Sequence, residues 1–225
     1  MKSTPKTQRR AVIVFARAPR PGRCKTRLIP ALGALGAART QHLLMRRALT
    51  AATDCGARLI LCGSPDCGHP ALARAARQHR AQRLRQVHGT LGRKMSWHLN
   101  LALRQSASAL LIGTDALNLA AQDLLRAFEA LESGSDFVLQ GSDDGGYVLI
   151  GARRHIRGAL AGVAWSSGRE LQQTTSRLRR QGRLQLLPPR QDLDQGQDYR
   201  RARRAGLLPA LPGALHSQRL RPASG

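Results

Sequence analysis

Short apolar runs alternate with stretches of helical spacing along almost the whole chain, and that alternation restricts the fold more than any other feature. Residues 11–15, Ala-Val-Ile-Val-Phe, carry no polar side chain, as a strand covered on both faces requires. Leu43, Leu44, Ala48 and Ala51, within residues 36–52, then recur at helical spacing. Further strands are expected at 58–62, 84–87, 109–113, 137–140, 147–150 and 183–187. Helices are expected after Pro70 and at 92–106, 120–131, 170–180 and 197–205. Strands separated by helices build βαβ units, so the fold class is α/β: one domain with a mostly parallel central sheet flanked by helices. Its expected span is 11–206, after a basic extension at 1–10 and before a loose, proline-containing tail at 207–225.

With 225 residues and 42% hydrophobic side chains, the chain can fill one core, which excludes global disorder. No apolar run approaches the ~20 residues of a membrane span. The apolar run after the basic start is too short for a signal peptide and ends in Arg17, so a cytoplasmic protein is expected. The formal net charge is +24, from 37 Lys and Arg against 13 Asp and Glu. Only Lys2, Lys6, Lys25 and Lys94 are lysines; the remaining 33 cations are arginines scattered through Ala- and Leu-rich segments. With aromatics at 3%, base-stacking platforms are lacking, and phosphate-bearing small ligands are favoured over nucleic acid. Cys24, Cys55, Cys62 and Cys67 show no Cys-x-x-Cys spacing and read as reduced thiols.

In parallel α/β sheets ligands bind beyond the carboxyl ends of the strands, so the residues just after each strand matter. After the first strand come Arg17, Arg20, Gly22, Arg23, Lys25 and Arg27. Cations beside a glycine that lets the backbone approach suit a phosphate chain, although the Walker pattern is absent. Gly113-Thr114-Asp115 follows the strand at 109–113, where a carboxylate can hold Mg²⁺ or cap the next helix. Asp143-Asp144-Gly145-Gly146-Tyr147 lies between two strands and is also a good hairpin turn. Asp192-Leu193-Asp194 follows the last strand, its two acids on one face of an extended segment.

The segments Ile13-Val-Phe-Ala-Arg-Ala-Pro19, Pro21-Gly-Arg-Cys-Lys-Thr-Arg-Leu28 and Gly89-Thr-Leu-Gly-Arg-Lys-Met95 together resemble a bacterial family of GT-A-fold glycosyltransferases. Pro65-Asp66 with His69-Pro70, Gly113-Thr-Asp115, Asp144-Gly-Gly-Tyr-Val-Leu-Ile-Gly151, Trp165-Ser-Ser167 and Asp192-Leu-Asp194 extend the match in order. That family includes arsenosugar-biosynthesis glycosyltransferases and transferases associated with radical-SAM and selenium domains. The resemblance implies a Rossmann-like GT-A domain of the nucleotide-diphosphosugar transferase superfamily.

It further implies a nucleotide-sugar donor, a small-molecule acceptor, and Mg²⁺ or Mn²⁺ assisting departure of the nucleoside diphosphate. Arg17, Gly22, Arg23, Lys25, Arg27 and Thr114 would bind the nucleotide and its phosphates. Asp115 and Asp194 would hold the metal. Gly145, Gly146, Tyr147, Trp165 and Ser166 would form the acceptor wall, with Asp144 and Lys25 in catalytic roles. His69 is expected to serve its own loop. The chain departs from the family pattern at Thr90, where an Asp is usual, at Lys94, where an Arg is usual, and at Ala116–Leu119. There a proline and an acid are lost and Asn118 stands, so Mg²⁺ affinity is expected to fall. Nucleotidyl transfer and non-catalytic nucleotide binding are the alternative readings.

Overall fold

The computed structural model describes residues 10–209; the expected N-terminal extension and most of the expected C-terminal tail lie outside them. Seven strands form one mixed sheet in the order β3-β2-β1-β4-β6-β5-β7. They are β1 (Arg10–Arg17), β2 (Arg58–Ser64), β3 (Gln82–Arg85), β4 (Ser108–Ile112), β5 (Phe137–Ser142), β6 (Tyr147–Ala152) and β7 (Leu184–Arg190). All run parallel except β6, which pairs antiparallel with both β4 and β5. The β5–β6 hairpin places Asp143–Gly146 at the carboxyl end of the sheet, beside the loops that leave β1, β4 and β7.

Six helices are described: α1 (Ile29–Asp54), α2 (Pro70–Gln78), α3 (Leu91–Leu103), α4 (Ala121–Glu132), α5 (Glu170–Arg179) and α6 (Gly196–Arg204). Alternate residues of β1 go to opposite layers, as the two-residue period of a strand demands. Val12, Val14 and Ala16 pack with Leu49 of α1, Leu72 of α2 and Phe128 of α4. Ala11 and Ile13 pack with Met95 and Leu99 of α3 and Leu178 of α5. A third cluster joins Leu28, Leu44, Leu117 and Leu193 to Tyr199 and Ala202 of α6. Leu208, two residues past the expected boundary at 206, is buried in it.

The sequence expectation places the elements correctly, with shifts that have local causes. The third strand lies at Gln82–Arg85 rather than 84–87; its outer position in the sheet makes its pairing short. Helix α1 begins at Ile29, not 36, with Pro30 in its first turn and a break at Gly33 (φ 68°, ψ 167°) that separates the first turn from the rest. Strand β7 continues through Pro188 and Pro189, tolerated because β7 is an edge strand whose missing N–H groups need no partner. No helix among the described residues is long and apolar enough to cross a membrane.

Gly92 fixes how closely α3 can approach. A Cβ placed there would lie 2.1 Å from the Leu160 carbonyl oxygen. Gly92→Ala is expected to cost about 1–3 kcal/mol through forced backbone displacement, read as a lowered urea midpoint with an unchanged slope. An unchanged midpoint would mean that the 156–160 segment yields freely.

Candidate functional site

At the carboxyl end of the sheet a cavity of 690 Å³ opens among the loops after β4, β5 and β7, the start of β6, and α6. Its walls differ in character. Leu91, Met95, Tyr147, Val148 and Trp165 are its large apolar lining residues. Seven of the thirteen acids in this arginine-rich chain line the cavity: Asp115, Asp143, Asp144, Glu170, Asp192, Asp194 and Asp198. Only Arg27 and Arg201 oppose them among the lining residues.

The acids are positioned by backbone pairing between two loops. The 115–117 segment after β4 runs antiparallel to 191–193 after β7. The Leu193 N–H donates to the Asp115 carbonyl at 2.9 Å, the Leu117 N–H to the Gln191 carbonyl at 2.9 Å, and Ala116 bridges Asp192. Leu117 and Leu193 point into the third apolar cluster, which turns Asp192 and Asp194 the other way, toward the cavity. Arg190 holds the β7 end of this arrangement. Its guanidinium binds the Asp123 carboxylate of α4 through two nitrogens, Nε at 3.1 Å to Oδ2 and Nη2 to Oδ1.

Lys25 reaches beneath the acids from the first loop. Its backbone adopts the left-handed conformation (φ 46°, ψ 43°), and its side chain is only 6% exposed. Nζ lies 2.7 Å from Asp115 Oδ1 and 3.7 Å from Asp194 Oδ1, and donates to the Leu193 carbonyl. Arg27 Nη1 donates to the other Asp194 oxygen at 2.9 Å. Asp192 stands apart chemically: burial first, then the charges of Asp144, Asp194 and Asp198, push its carboxyl up to about 6.

Asp115 and Asp194 therefore converge on one cation, here an ammonium. As hard oxygen donors they also fit a divalent ion of the Mg²⁺ type, which takes one or two carboxylates and fills its shell with water and substrate phosphate. No group of three or more His, Cys, Asp or Glu disposed to hold a metal occurs among the described residues. The substrate would have to complete the shell.

The glycine-rich turn is held tightly. Asp144 Oδ1 accepts from Ser142 Oγ at 2.5 Å and from the Gly146 N–H at 2.9 Å, fixing the carboxyl. Gly145 (φ 85°) leaves its own Cβ position 2.1 Å from the Gly168 carbonyl oxygen, so the turn and the 165–168 loop touch backbone to backbone. Tyr147 and Trp165 meet edge to face, centroids 6.2 Å apart. Burial raises the Tyr147 phenol above its usual range, which keeps it neutral. Ser166, also on the cavity wall, adopts a left-handed conformation (φ 61°).

Of the acceptor-wall residues expected from sequence, Gly146, Tyr147, Trp165 and Ser166 line the cavity, and Gly145 sits behind them as a packing contact. Among the expected nucleotide-binding residues, Arg27 lines it and Lys25 lies beneath its acids, whereas Gly22 and Arg23 are on the exposed outer part of the first loop and Arg17 is exposed at the end of β1. Thr114 is buried, its hydroxyl accepting from Gln41 Nε2 at 3.1 Å. The same amide donates to the Arg17 carbonyl at 3.2 Å, which ties the loop after β1 to the loop after β4. Gln41 carries no sequence signal, since it lies mid-helix among ordinary α1 residues. Arg201 likewise becomes a cavity residue only because α6 packs on the start of α1. Thr90 caps α3, accepting from the Arg93 N–H at 3.3 Å, and His69 caps α2 through Nδ1, so both serve their helices.

Residues 45–167, more than half of the chain, match the family described as "Uncharacterized protein conserved in bacteria (DUF2064)". No curated protein matches the chain. Among solved structures it resembles a protein of Desulfovibrio desulfuricans G20 provisionally named a nucleotide-diphospho-sugar transferase. The TM-score is 0.76 at 24% identity, over 84% of this chain and 83% of that one. A nucleotidyl transferase of Methanothermobacter thermautotrophicus matches with TM-score 0.57 at 15% identity, over 88% and 97% of the two chains. Glucosyl-3-phosphoglycerate synthase of Mycobacterium tuberculosis, solved with Mn²⁺, UDP and glucosyl-3-phosphoglycerate, matches with TM-score 0.51 at 13% identity, over 87% and 75%. The shared feature is the fold, the Rossmann-like sheet of nucleotide-diphosphosugar transferases.

Proposed function

We propose that this chain, which belongs to the bacterial DUF2064 family, transfers a glycosyl group from a nucleotide-sugar donor to a small acceptor. The observation that carries this reading is the convergence of Asp115 and Asp194 on a single cation at the carboxyl end of the sheet. Proteins of the same fold named as sugar-nucleotide and nucleotidyl transferases support it. The arsenosugar-type and radical-SAM-associated transferases are the subgroup we favour, on the ordered motifs from Ile13 to Asp194. Four free cysteines agree with a place in the cytoplasm.

In this reading the donor's diphosphate lies over the acids, flanked by Lys25 and Arg27. Asp115 and Asp194 would hold a divalent cation, whose chemistry is to offset the charge that builds up on a departing diphosphate. Arg27 shares that charge from the rim, and Arg17 and Arg23 draw the donor in from the loop's outer side. The acceptor rests against Tyr147 and Trp165, and Asp144, fixed by Ser142 and Gly146, removes its hydroxyl proton. Rate enhancement comes mainly from positioning and fixed charge.

The test is calorimetric titration of nucleotide sugars with and without Mg²⁺, followed by product analysis with the donor that binds. Mg²⁺ is expected to tighten one donor by about tenfold or more, and Asp115→Asn to remove that gain while the fold persists. Release of nucleoside diphosphate supports glycosyl transfer, whereas pyrophosphate would reassign the protein to nucleotidyl transfer. Polyphosphate binding that is indifferent to both Mg²⁺ and Asp115 and is lost with salt would overturn the reading.

A further inference from the structure

We propose that Lys25 is an internal counter-ion that occupies the cation position between Asp115 and Asp194, so that a divalent ion can enter only as the lysine leaves. The inference rests on reading those two aspartates as the metal-holding pair. Nζ lies 2.7 Å from Asp115 Oδ1 and donates to the Leu193 carbonyl, and Asp194 Oδ1 stands 3.7 Å away as an ion-pair partner. The side chain is buried beneath the acids although both carboxylates are partly open to solvent. That is the placement of a plug rather than of a surface lysine reaching outward.

The backbone supports the same view. Lys25 holds a left-handed conformation that a non-glycine residue adopts at a cost, and the 3-10 turn Thr26–Leu28 follows directly, anchored by buried Leu28. The loop is thus set to deliver this one side chain inward, while Arg27 reaches Asp194 from the exposed side.

Electrostatics make the two occupants exclusive. A divalent ion and an ammonium within a few ångströms of each other repel strongly even at an effective dielectric of about 20. Two carboxylates cannot compensate both. Without substrate Lys25 and Arg27 together balance the two carboxylates, which spares the acidic cavity an unpaired charge beneath its floor. When a diphosphate arrives it offers the displaced ammonium a new partner, so phosphate and divalent-ion binding should favour one another. The arrangement would keep the site from loading metal when no donor is present.

The experiment measures Mn²⁺ binding to the full-length protein by the electron paramagnetic resonance signal of free Mn²⁺, for wild type and Lys25→Met, with thermal unfolding as a fold check. Removing the ammonium is expected to tighten Mn²⁺ by about tenfold or more. A second readout needs no variant: acylation of Lys25 in the wild-type protein, followed by peptide mass spectrometry, should rise when Mn²⁺ is added. Lys94 serves as the internal reference. With four lysines in the chain, the modified site is read individually.

Equal Mn²⁺ affinity in the two proteins, or Lys25 labelling that does not respond to Mn²⁺, overturns the counter-ion role and leaves the metal pair standing. Failure of both proteins to bind Mn²⁺, even with a nucleoside diphosphate present, overturns the metal pair as well.

Discussion

Replacing Asp123 by alanine is expected to lower the unfolding free energy by about 3–5 kcal/mol, the usual effect of removing one member of a buried ion pair. Asp123 is 3% exposed, and its carboxylate receives two guanidinium nitrogens of Arg190 and the Ala120 N–H at the start of α4. Without it the Arg190 guanidinium, 23% exposed, loses its charge partner and keeps its hydrogen bond to the Pro189 carbonyl. For a domain whose total stability is about 5–15 kcal/mol, that is a large fraction. The double substitution Asp123→Ala, Arg190→Met should recover much of the loss, because the penalty comes from the stranded charge. A single-mutant cost below about 1 kcal/mol would show that water reaches the pair and screens it.

The same residue gives a pH signature. Burial alone would raise the Asp123 carboxyl, but the hydrogen bonds and charge of Arg190 outweigh it and hold the pKa below the usual carboxylate range. Asp136 is held low in the same way: burial opposes, while the Arg183 N–H and the Arg153 guanidinium prevail. A depressed folded pKa contributes stability that is fully present above the unfolded value, near 3.9, and is lost as pH falls through the folded one. Urea midpoints taken between pH 7 and pH 2 should therefore fall below about pH 4, and less steeply in Asp123→Ala. Because Arg190 immediately precedes the segment that presents Asp192 and Asp194, the variant should also weaken divalent-ion binding.

Gly145→Ala is expected to reduce turnover by about a hundredfold, the order of loss that a 1 Å misplacement of a catalytic group produces. Two independent constraints meet at this residue. Its φ of 85° disfavours any side chain, and a Cβ would lie 2.1 Å from the Gly168 carbonyl oxygen, a backbone atom with no rotamer to escape into. The turn and the 165–168 loop must separate, which carries Asp144 away from Trp165 and Ser166. The Leu171 N–H would also lose its 3.0 Å bond to the Gly145 carbonyl. The core strands do not depend on this contact, so the unfolding midpoint should move far less than the activity. Unchanged kcat and KM would remove Asp144 and the acceptor wall from the mechanism.

Much of the architecture was legible without coordinates. The doubly apolar strand at Ala11–Phe15, the helical spacing around Leu43 and Leu44, and the Asp-Gly-Gly turn each reflect short-range rules that the tertiary structure keeps. Boundaries were less legible where edge position decided them, as at β3 and through Pro188 and Pro189 of β7. The acids at 115, 144 and 194 could be marked because they follow strands in a chain poor in acids. The sequence could also show that Lys25 stands in a loop beyond a strand.

What only the tertiary structure decided is which of these charges share a space. Lys25 and the Leu193 carbonyl are 168 residues apart, and they meet because the loops that follow β1 and β7 come together across three intervening strands. The pairing of 115–117 with 191–193, the Gln41 amide between two loops, and the entry of Arg201 through α6 have the same origin. Periodicity and turn chemistry act over a few residues, and so the chain alone determines the layers and the acids. Distances between side chains depend on how those layers pack, and that packing placed an ammonium where the sequence had suggested only a metal.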